Sequence, residues 1–116
     1  MRHRSNKKVL DRKSDSRRAL VRSMVINFIL SDKIKTTAIR ARIVRSAAER
    51  LVTVAKVNSL TARRKLLSYL NHPAAVKRLL EVLGPKYVSH KGGYTRIIKL
   101  SQRKGDAAKI VLLQFI

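Results

Sequence analysis

Apolar residues recur at helical spacing in two stretches near the start of the chain. The first predicts a helix over residues 15–30, with Ser14 or Asp15 accepting hydrogen bonds at its start and Ser31-Asp32 ending it. The second predicts a longer helix over 38–56, with Thr37 as its N-cap. The predicted core positions are Leu20, Val21, Met24, Val25, Phe28 and Ile29, then Ile39, Ile43, Val44, Ala47, Ala48, Leu51, Val54 and Ala55.

Two shorter helices are predicted in the middle of the chain. LTARRKLLSYL, residues 60–70, has helical spacing, and Asn71 or His72 is expected to cap a fourth helix that has Pro73 in its first turn. Gly84-Pro85 is expected to end this fourth helix. The predicted core positions are Leu60, Leu66, Leu67, Leu70, Val76, Leu79, Leu80 and Leu83.

The remaining apolar runs are typical of strands. KIKTT predicts a short strand near 33–36, and YTRIIKL and KIVLLQF predict a hairpin connected by the turn-rich SQRKGDA. The first hairpin strand places Thr95, Ile97 and Lys99 on one side and Tyr94, Arg96, Ile98 and Leu100 on the other, and the pattern leaves open which side the helices cover. We therefore expect an α+β fold with about four helices packed on a small mixed sheet.

The charge of the chain indicates a polyanionic partner. Its 116 residues contain 28 Lys and Arg against six Asp and Glu, for a formal net charge of +22. Nucleic acid is the commonest cellular polyanion that neutralises such an excess. No apolar run approaches the ~20 residues of a membrane-spanning helix, and no secretory signal is recognisable. These observations predict a cytoplasmic protein that binds nucleic acid and not a membrane.

The N-terminal segment carries the densest charge. MRHRSNKKVLDRKSDSRR holds eight Lys or Arg and few aliphatic side chains, so it cannot offset the entropy of ordering itself. It is either a solubilising tail or an arm that becomes ordered on nucleic acid, and its charge density favours the arm. We expect two parts, a basic arm over 1–14 and a single globular domain over 15–116.

Two internal segments also suit nucleic acid, each with a plainer interpretation beside it. The loop HKGGYTR has two glycines that let backbone approach phosphate, and Tyr94 is expected either to stack on a base or to pack inside the protein. The helix pair over 59–83 resembles a DNA-reading helix-turn-helix only weakly, and two packed helices with a solvated basic face are the simpler explanation. A DNA-binding protein of the nucleoid or of transcription is therefore the alternative function.

Catalysis is not expected from this sequence. The chain has no Cys, its three His are scattered, and no phosphate-binding glycine loop or paired carboxylate is visible. An RNA-processing enzyme would need a carboxylate or His pair near the basic face, for which only isolated residues such as His90 and Asp106 are available. We predict no catalytic residue, no metal site, no cofactor and no small-molecule substrate.

Several segments together resemble the bacterial large-subunit ribosomal protein seventeen family. They are MRHR at the start, LDR and SRR in the arm, IKTT, RARIVR, LVTVAK, ARR, LGPKY, GGYTRIIK and RKGDAAK, spread over essentially the full chain. The resemblance implies an α+β fold with an N-terminal extension in ribosomal RNA and no enzymatic activity. It implies a structural constituent of the large (50S) subunit that bridges RNA near the peptide exit tunnel.

The resemblance also implies partners and site residues. The partners would be large-subunit (23S) ribosomal RNA and neighbouring ribosomal proteins, including the small protein thirty-two, with no homo-oligomer. Matching the family motifs by position, the predicted RNA-binding residues are Arg2, His3, Arg4, Lys7, Lys8, Arg12, Arg17, Arg18, Arg22, Gly92, Gly93, Tyr94, Thr95 and Arg96. Other basic residues predicted from the sequence complete the set: Lys13, Lys35, Arg40, Arg42, Arg63, Arg64 and Lys91.

Overall fold

Helices and a small sheet alternate along the computed structural model, which describes residues 13–116. The elements are α1 Ser14–Ser31, β1 Lys33–Thr37, α2 Ala38–Ala55, α3 Leu60–Leu70, α4 Pro73–Arg78, a π-helical turn Leu79–Leu83, α5 Gly84–Lys86, β2 Thr95–Gln102 and β3 Lys109–Phe115. The predicted α+β class is confirmed. The arm predicted over 1–14 lies almost entirely outside the described residues.

The helices begin close to the predicted positions, but only some of the predicted N-cap side chains make a capping hydrogen bond. Ser59 and His72 each accept a hydrogen bond from the backbone N–H three residues later, which confirms His72 as the cap of α4. The prediction that Ser14 or Asp15 caps α1 is wrong, because Lys13 occupies that position and makes no side-chain cap bond. Thr37 is the N-cap residue of α2, but its hydroxyl makes no cap bond either.

The fourth helix does not stop at Gly84-Pro85, as the sequence predicted. From α4 the backbone continues through the π-helical turn into α5. Gly84 has an ordinary helical φ of −56°, and a Cβ at this position would lie 2.7 Å from the carbonyl oxygen of Ala55. Gly84 is therefore needed for close packing against the end of α2 and not for a turn.

The sheet is antiparallel throughout, in the order β1-β3-β2. The predicted mixed sheet is wrong because β3 returns antiparallel to both of its neighbours, which needs no parallel crossover. Leu113 pairs with Ile34 on one side and Ile97 on the other, and this face packs on the helices. The Thr95 and Ile97 side of β2 is thus the covered side, while Ile98 remains 38% exposed.

The core lies between α2, the other helices and the sheet. Val25, Phe28, Leu66, Leu80 and Leu113 are buried as the centre of one cluster. The predicted inward positions Ile39 and Leu60 are wrong, since these side chains are 54% and 63% exposed. The stripe that α2 buries is rotated toward smaller side chains: Ala41, Val44, Ala48, Leu51, Val52 and Ala55. No helix within residues 13–116 is long and apolar enough to cross a bilayer.

Candidate nucleic-acid interface

Four predicted binding residues meet in one groove between α1 and α2. Arg17, Arg18 and Arg22 come from α1, Arg42 from α2, and together with Arg50 they line a groove of about 420 Å³, here called the arginine groove. Its other lining residues are Val21, Ile43, Ser46, Ala47 and Tyr69. The groove combines a cationic rim with an apolar floor and one aromatic ring.

The arginine groove holds uncompensated positive charge. The ion pairs within residues 13–116 join Arg45 to Glu49, Arg78 to Asp32 and Arg103 to Asp106. None of the five groove arginines takes part in these pairs. Guanidinium groups that converge without a carboxylate repel one another, and a phosphate entering between them relieves that repulsion.

Lys35 and Arg40 line a second groove, beside the turn of the hairpin. Arg103 and Lys104 complete its cationic lining, and its volume is about 620 Å³; we call it the hairpin groove. Asp106 accepts two hydrogen bonds from Arg103, at Nε with 3.1 Å and at Nη2. This pairing raises the pKa of Arg103 and lowers the pKa of Asp106 to about 2, so both groups stay charged at neutral pH.

The loop over 90–96 is exposed at its tip and held firmly at its base. Gly92 and Gly93 have φ values of 81° and 64°, and a Cβ built at either residue would meet no atom within 4 Å. Lys91, Gly92, Gly93 and Arg96 are all exposed. Glycine is thus favoured at these two positions because of the positive φ angles and not because of crowding, and the space around them is open to a ligand.

The base of this loop is tied to the end of α2 through Tyr94. Its hydroxyl lies 3.0 Å from Lys56 Nζ and 3.2 Å from Thr53 Oγ1, and the Lys56 ammonium also donates to the carbonyl of His90. Thr95 Oγ1 donates to Glu49 Oε1 at 2.8 Å. The hydrogen bonds of Thr53 and then of Lys56 lower the pKa of Tyr94 from its ordinary 10.0.

Of the two interpretations of Tyr94, the structure shows the packed one. The Tyr94 ring is 1% exposed and lies 5.3 Å from the ring of Tyr87, and Thr95 is 5% exposed. Neither side chain presents a surface on which a base could stack. Their place in the structure is beneath the loop, where they hold Lys91 to Gly93 and Arg96 in position.

The other predicted residues do not line either groove. Arg63 and Arg64 are exposed on α3 and Lys13 is exposed at the start of α1. The predicted residues outside the described part of the chain are Arg2, His3, Arg4, Lys7, Lys8 and Arg12.

The sequence prediction of RNA-binding residues missed four basic or aromatic residues that line the two grooves. They are Arg50, Tyr69, Arg103 and Lys104. One signal for Arg50 was present, because Arg42, Ser46 and Arg50 are spaced four residues apart and share a helix face. Tyr69 gave no such signal, since only the fold brings α3 beside α1 and α2.

The helix pair over 59–83 is poorly suited to reading duplex DNA. Lys77 and Glu81 are exposed on the second helix and its extension, and the one other basic residue there, Arg78, donates to Ile29 O at 2.8 Å and to Asp32. A groove-reading helix would bring Glu81 toward phosphates with few cations to offset it. The described residues also contain no group of three or more His, Cys, Asp or Glu arranged to hold a metal ion.

Comparison with known proteins gives one family. The family model described as ribosomal protein L17 matches residues 20–116. The large ribosomal subunit protein bL17 of Clostridium botulinum (strain Loch Maree / Type A3) is 45% identical over 92% of this chain and 95% of its own length. The proteins of the same name from Clostridium acetobutylicum and Thermoanaerobacter sp. (strain X514) are 45% and 43% identical, again over 92% of this chain and over 94% and 96% of their own. The chain belongs to the ribosomal protein L17 family.

Proposed function

We propose that this chain is a structural, non-enzymatic constituent of the large (50S) ribosomal subunit that binds and bridges ribosomal RNA. Its family and the names of its relatives, which are large ribosomal subunit proteins, support assembly into the large subunit. The single structural observation that carries the bridging role is the position, near both ends of α2, of cations that take part in none of the ion pairs within residues 13–116. These are Lys35 and Arg40 at its start, and Lys91 and Arg96 on the loop above its end. This function implies a cytoplasmic location.

The bridging role follows from the length of α2. Arg40 lies near its first turn, beside the hairpin groove, and Lys56 lies at its end, beneath the loop over 90–96. Sixteen residues of helix separate these points by about 24 Å, whereas successive phosphates of one strand lie only several ångströms apart. One nucleotide therefore cannot satisfy both surfaces. Nucleotides several positions apart in one strand, or separate RNA segments, would meet the two surfaces, with the arginine groove as a further contact, and in either case the chain connects sites that one nucleotide cannot reach.

Finer features of the proposal rest on the resemblance of the sequence motifs. They are the position near the peptide exit tunnel, the arm residues as RNA ligands, 23S RNA as the RNA bound, and protein thirty-two as a neighbour. The arm supports RNA binding by its composition, because a chain that becomes ordered on its ligand follows an irregular RNA surface. The DNA-binding alternative has no support from the family or from the helix pair over 59–83.

The test is sedimentation of tagged full-length chain with ribosomal subunits in moderate and high salt. We expect co-migration with the large subunit and retention through a high-salt wash, because many phosphate contacts together with an ordered arm resist counterion competition. A protein that stays at the top of the gradient, or follows DNA, contradicts the proposed function.

A pair of variants then tests the contribution of the hairpin groove. Lys35→Gln and Arg40→Gln, made singly, should each lower the salt concentration at which the chain leaves the subunit. Arg45→Gln is the matched control for each, because it also removes one positive charge and Arg45 already faces Glu49 at 3.6 Å. Equal effects of the single groove variants and the control would contradict a role for this groove.

A further inference from the structure

The arginine groove has features that a simple patch of surface cations lacks. It is concave, and its volume of about 420 Å³ lies within the ~300–1,000 Å³ usual for small-molecule and nucleotide pockets. Tyr69 at its edge is 39% exposed, which leaves one aromatic surface accessible. Of the other tyrosines, Tyr87 and Tyr94 are each 1% exposed, so Tyr69 alone within residues 13–116 offers an accessible tyrosine ring.

We propose that the arginine groove binds a single unstacked nucleotide of the ribosomal RNA, with its base on Tyr69 and its flanking phosphates between the arginines. This inference rests on the proposed function and adds the form of RNA that this groove takes. Unpaired bases are recognised by stacking on aromatic or guanidinium planes, while cations follow the backbone.

The lining of the groove favours an unpaired nucleotide over a duplex or a free anion. Val21, Ile43 and Ala47 give the groove an apolar floor. A lone phosphate would leave this floor uncovered, whereas a base lying on it would remove apolar surface from water. A duplex presents its phosphates on a convex surface and keeps its bases stacked inside. It would touch the rim of the groove and leave the floor and Tyr69 empty.

The carboxylates of the described residues do not pair with the groove arginines. Within residues 13–116, the ion pairs leave the groove arginines without a carboxylate. Residues 1–12 contain one acid, Asp11, among five Lys and Arg, so by composition they add positive charge. Five guanidinium groups around one groove thus point to an anionic ligand from outside the chain.

Binding of the full-length chain to large-subunit ribosomal RNA tests this inference. Replacing Tyr69 by Leu should weaken binding by about tenfold without changing the salt dependence, since stacking is lost and no charge is removed. Tyr69→Phe keeps the ring and should bind as the native chain does. Arg50→Gln should weaken binding and reduce the salt slope by about one, whereas Arg45→Gln should change the slope less.

These outcomes separate the inference from the proposed function. A native chain that does not bind the RNA refutes both. A native chain that binds, together with a Tyr69→Leu variant of undiminished affinity, refutes only the nucleotide site.

Ultraviolet cross-linking within assembled subunits provides an independent measurement. Mass spectrometry should find a nucleotide adduct on the peptide that contains Tyr69. A cross-link from this residue to another protein, or no RNA adduct on this peptide, would overturn the inference.

Discussion

Gly84 allows a specific prediction about stability, because adding one methyl group there has two opposing effects. It raises the helix propensity, and it crowds the backbone of neighbouring residues. Gly84 has a helical φ of −56°, so no left-handed conformation requires glycine here, although the following Pro85 disfavours a Cβ in the helical region. On helix propensity alone, Gly84→Ala would stabilise the protein by about 1 kcal/mol. The helical conformation of Gly84, taken without its neighbours, would therefore favour this substitution.

Packing reverses that expectation. The added Cβ would lie 2.7 Å from Ala55 O, 3.0 Å from Leu79 O and 3.1 Å from the carbonyl carbon of Ala55. All three atoms belong to the backbone, so no side chain can rotate away, and the end of α2 must shift relative to α5. Overpacking of this kind costs about 1–3 kcal/mol, and two or three simultaneous backbone contacts place this site in the upper part of that range. After the gain in propensity, we expect a net loss of about 1–2 kcal/mol.

Thermal and urea unfolding of the native chain and Gly84→Ala measure this difference. A domain of this size should lose about 4–8 °C in melting temperature for that free energy. The control is the pair Ser68→Ala and Ser68→Gly, at an exposed position inside α3, which reports the alanine-glycine difference without a packing contact. If Gly84→Ala is as stable as the native chain or more so, the close contact between α5 and α2 does not exist as described.

Three further predictions concern the loop base, the hairpin and the core. Tyr94→Phe removes the hydroxyl bonded to Thr53 and Lys56 and should lower the free energy of unfolding by about 1–2 kcal/mol at neutral pH in urea titrations. The pKa of Tyr94 is depressed in the folded chain. The free energy of unfolding of the native chain should therefore rise further above that of this variant as the pH increases through that pKa toward 10.0, and this extra stability should be lost as the pH falls. A difference in free energy that stays constant with pH would contradict the shift. The Asp106 carboxyl should titrate by NMR at about 2 and move up toward 3.8 in Arg103→Gln, and an unchanged midpoint would contradict their pairing. Leu113→Ala, at a fully buried site, should cost about 2–5 kcal/mol in unfolding experiments, and a loss below 1 kcal/mol would refute its central position.

Local signals in the sequence were sufficient for most of the elements. Polar breaks such as Ser31-Asp32 and Asn71-His72 end or begin helices because backbone geometry and capping are decided within a few residues. Which face of α2 is buried could not be predicted from such local signals. Apolarity favours Ile39 as a core residue, yet the neighbours of α2 on several sides select the rotated stripe that contains Ala41 and Ala48. Which apolar face is buried depends on tertiary packing that one helix does not encode.

For the candidate site too, the sequence predicts individual residues but not which of them the fold brings together. Family motifs identified Arg17 and Arg22 as candidate RNA ligands, and residue type identified Arg42, but only the fold shows that they share one groove with Tyr69. The converse holds for Tyr94, whose position after two glycines suits a stacking residue, while Lys56 and Tyr87 hold its ring inside the protein. A motif read along one segment cannot reveal what another segment places on top of it.

The ion pairs of the described residues separate the arginines that hold the fold from those left for a ligand. Arg78 joins α4 to the end of α1 through Ile29 O and Asp32, and Arg103 fixes the hairpin turn through Asp106. Exposed ion pairs of this kind contribute little stability, typically below about 1 kcal/mol each, so the chain gains little by retaining so many further cations for folding. In the free protein those cations repel one another apart from the screening that salt provides, and a bound polyanion relieves more of that repulsion than mobile counterions do. The excess charge therefore opposes the isolated domain and favours the bound one, which is the energetic property that a protein binding ribosomal RNA requires.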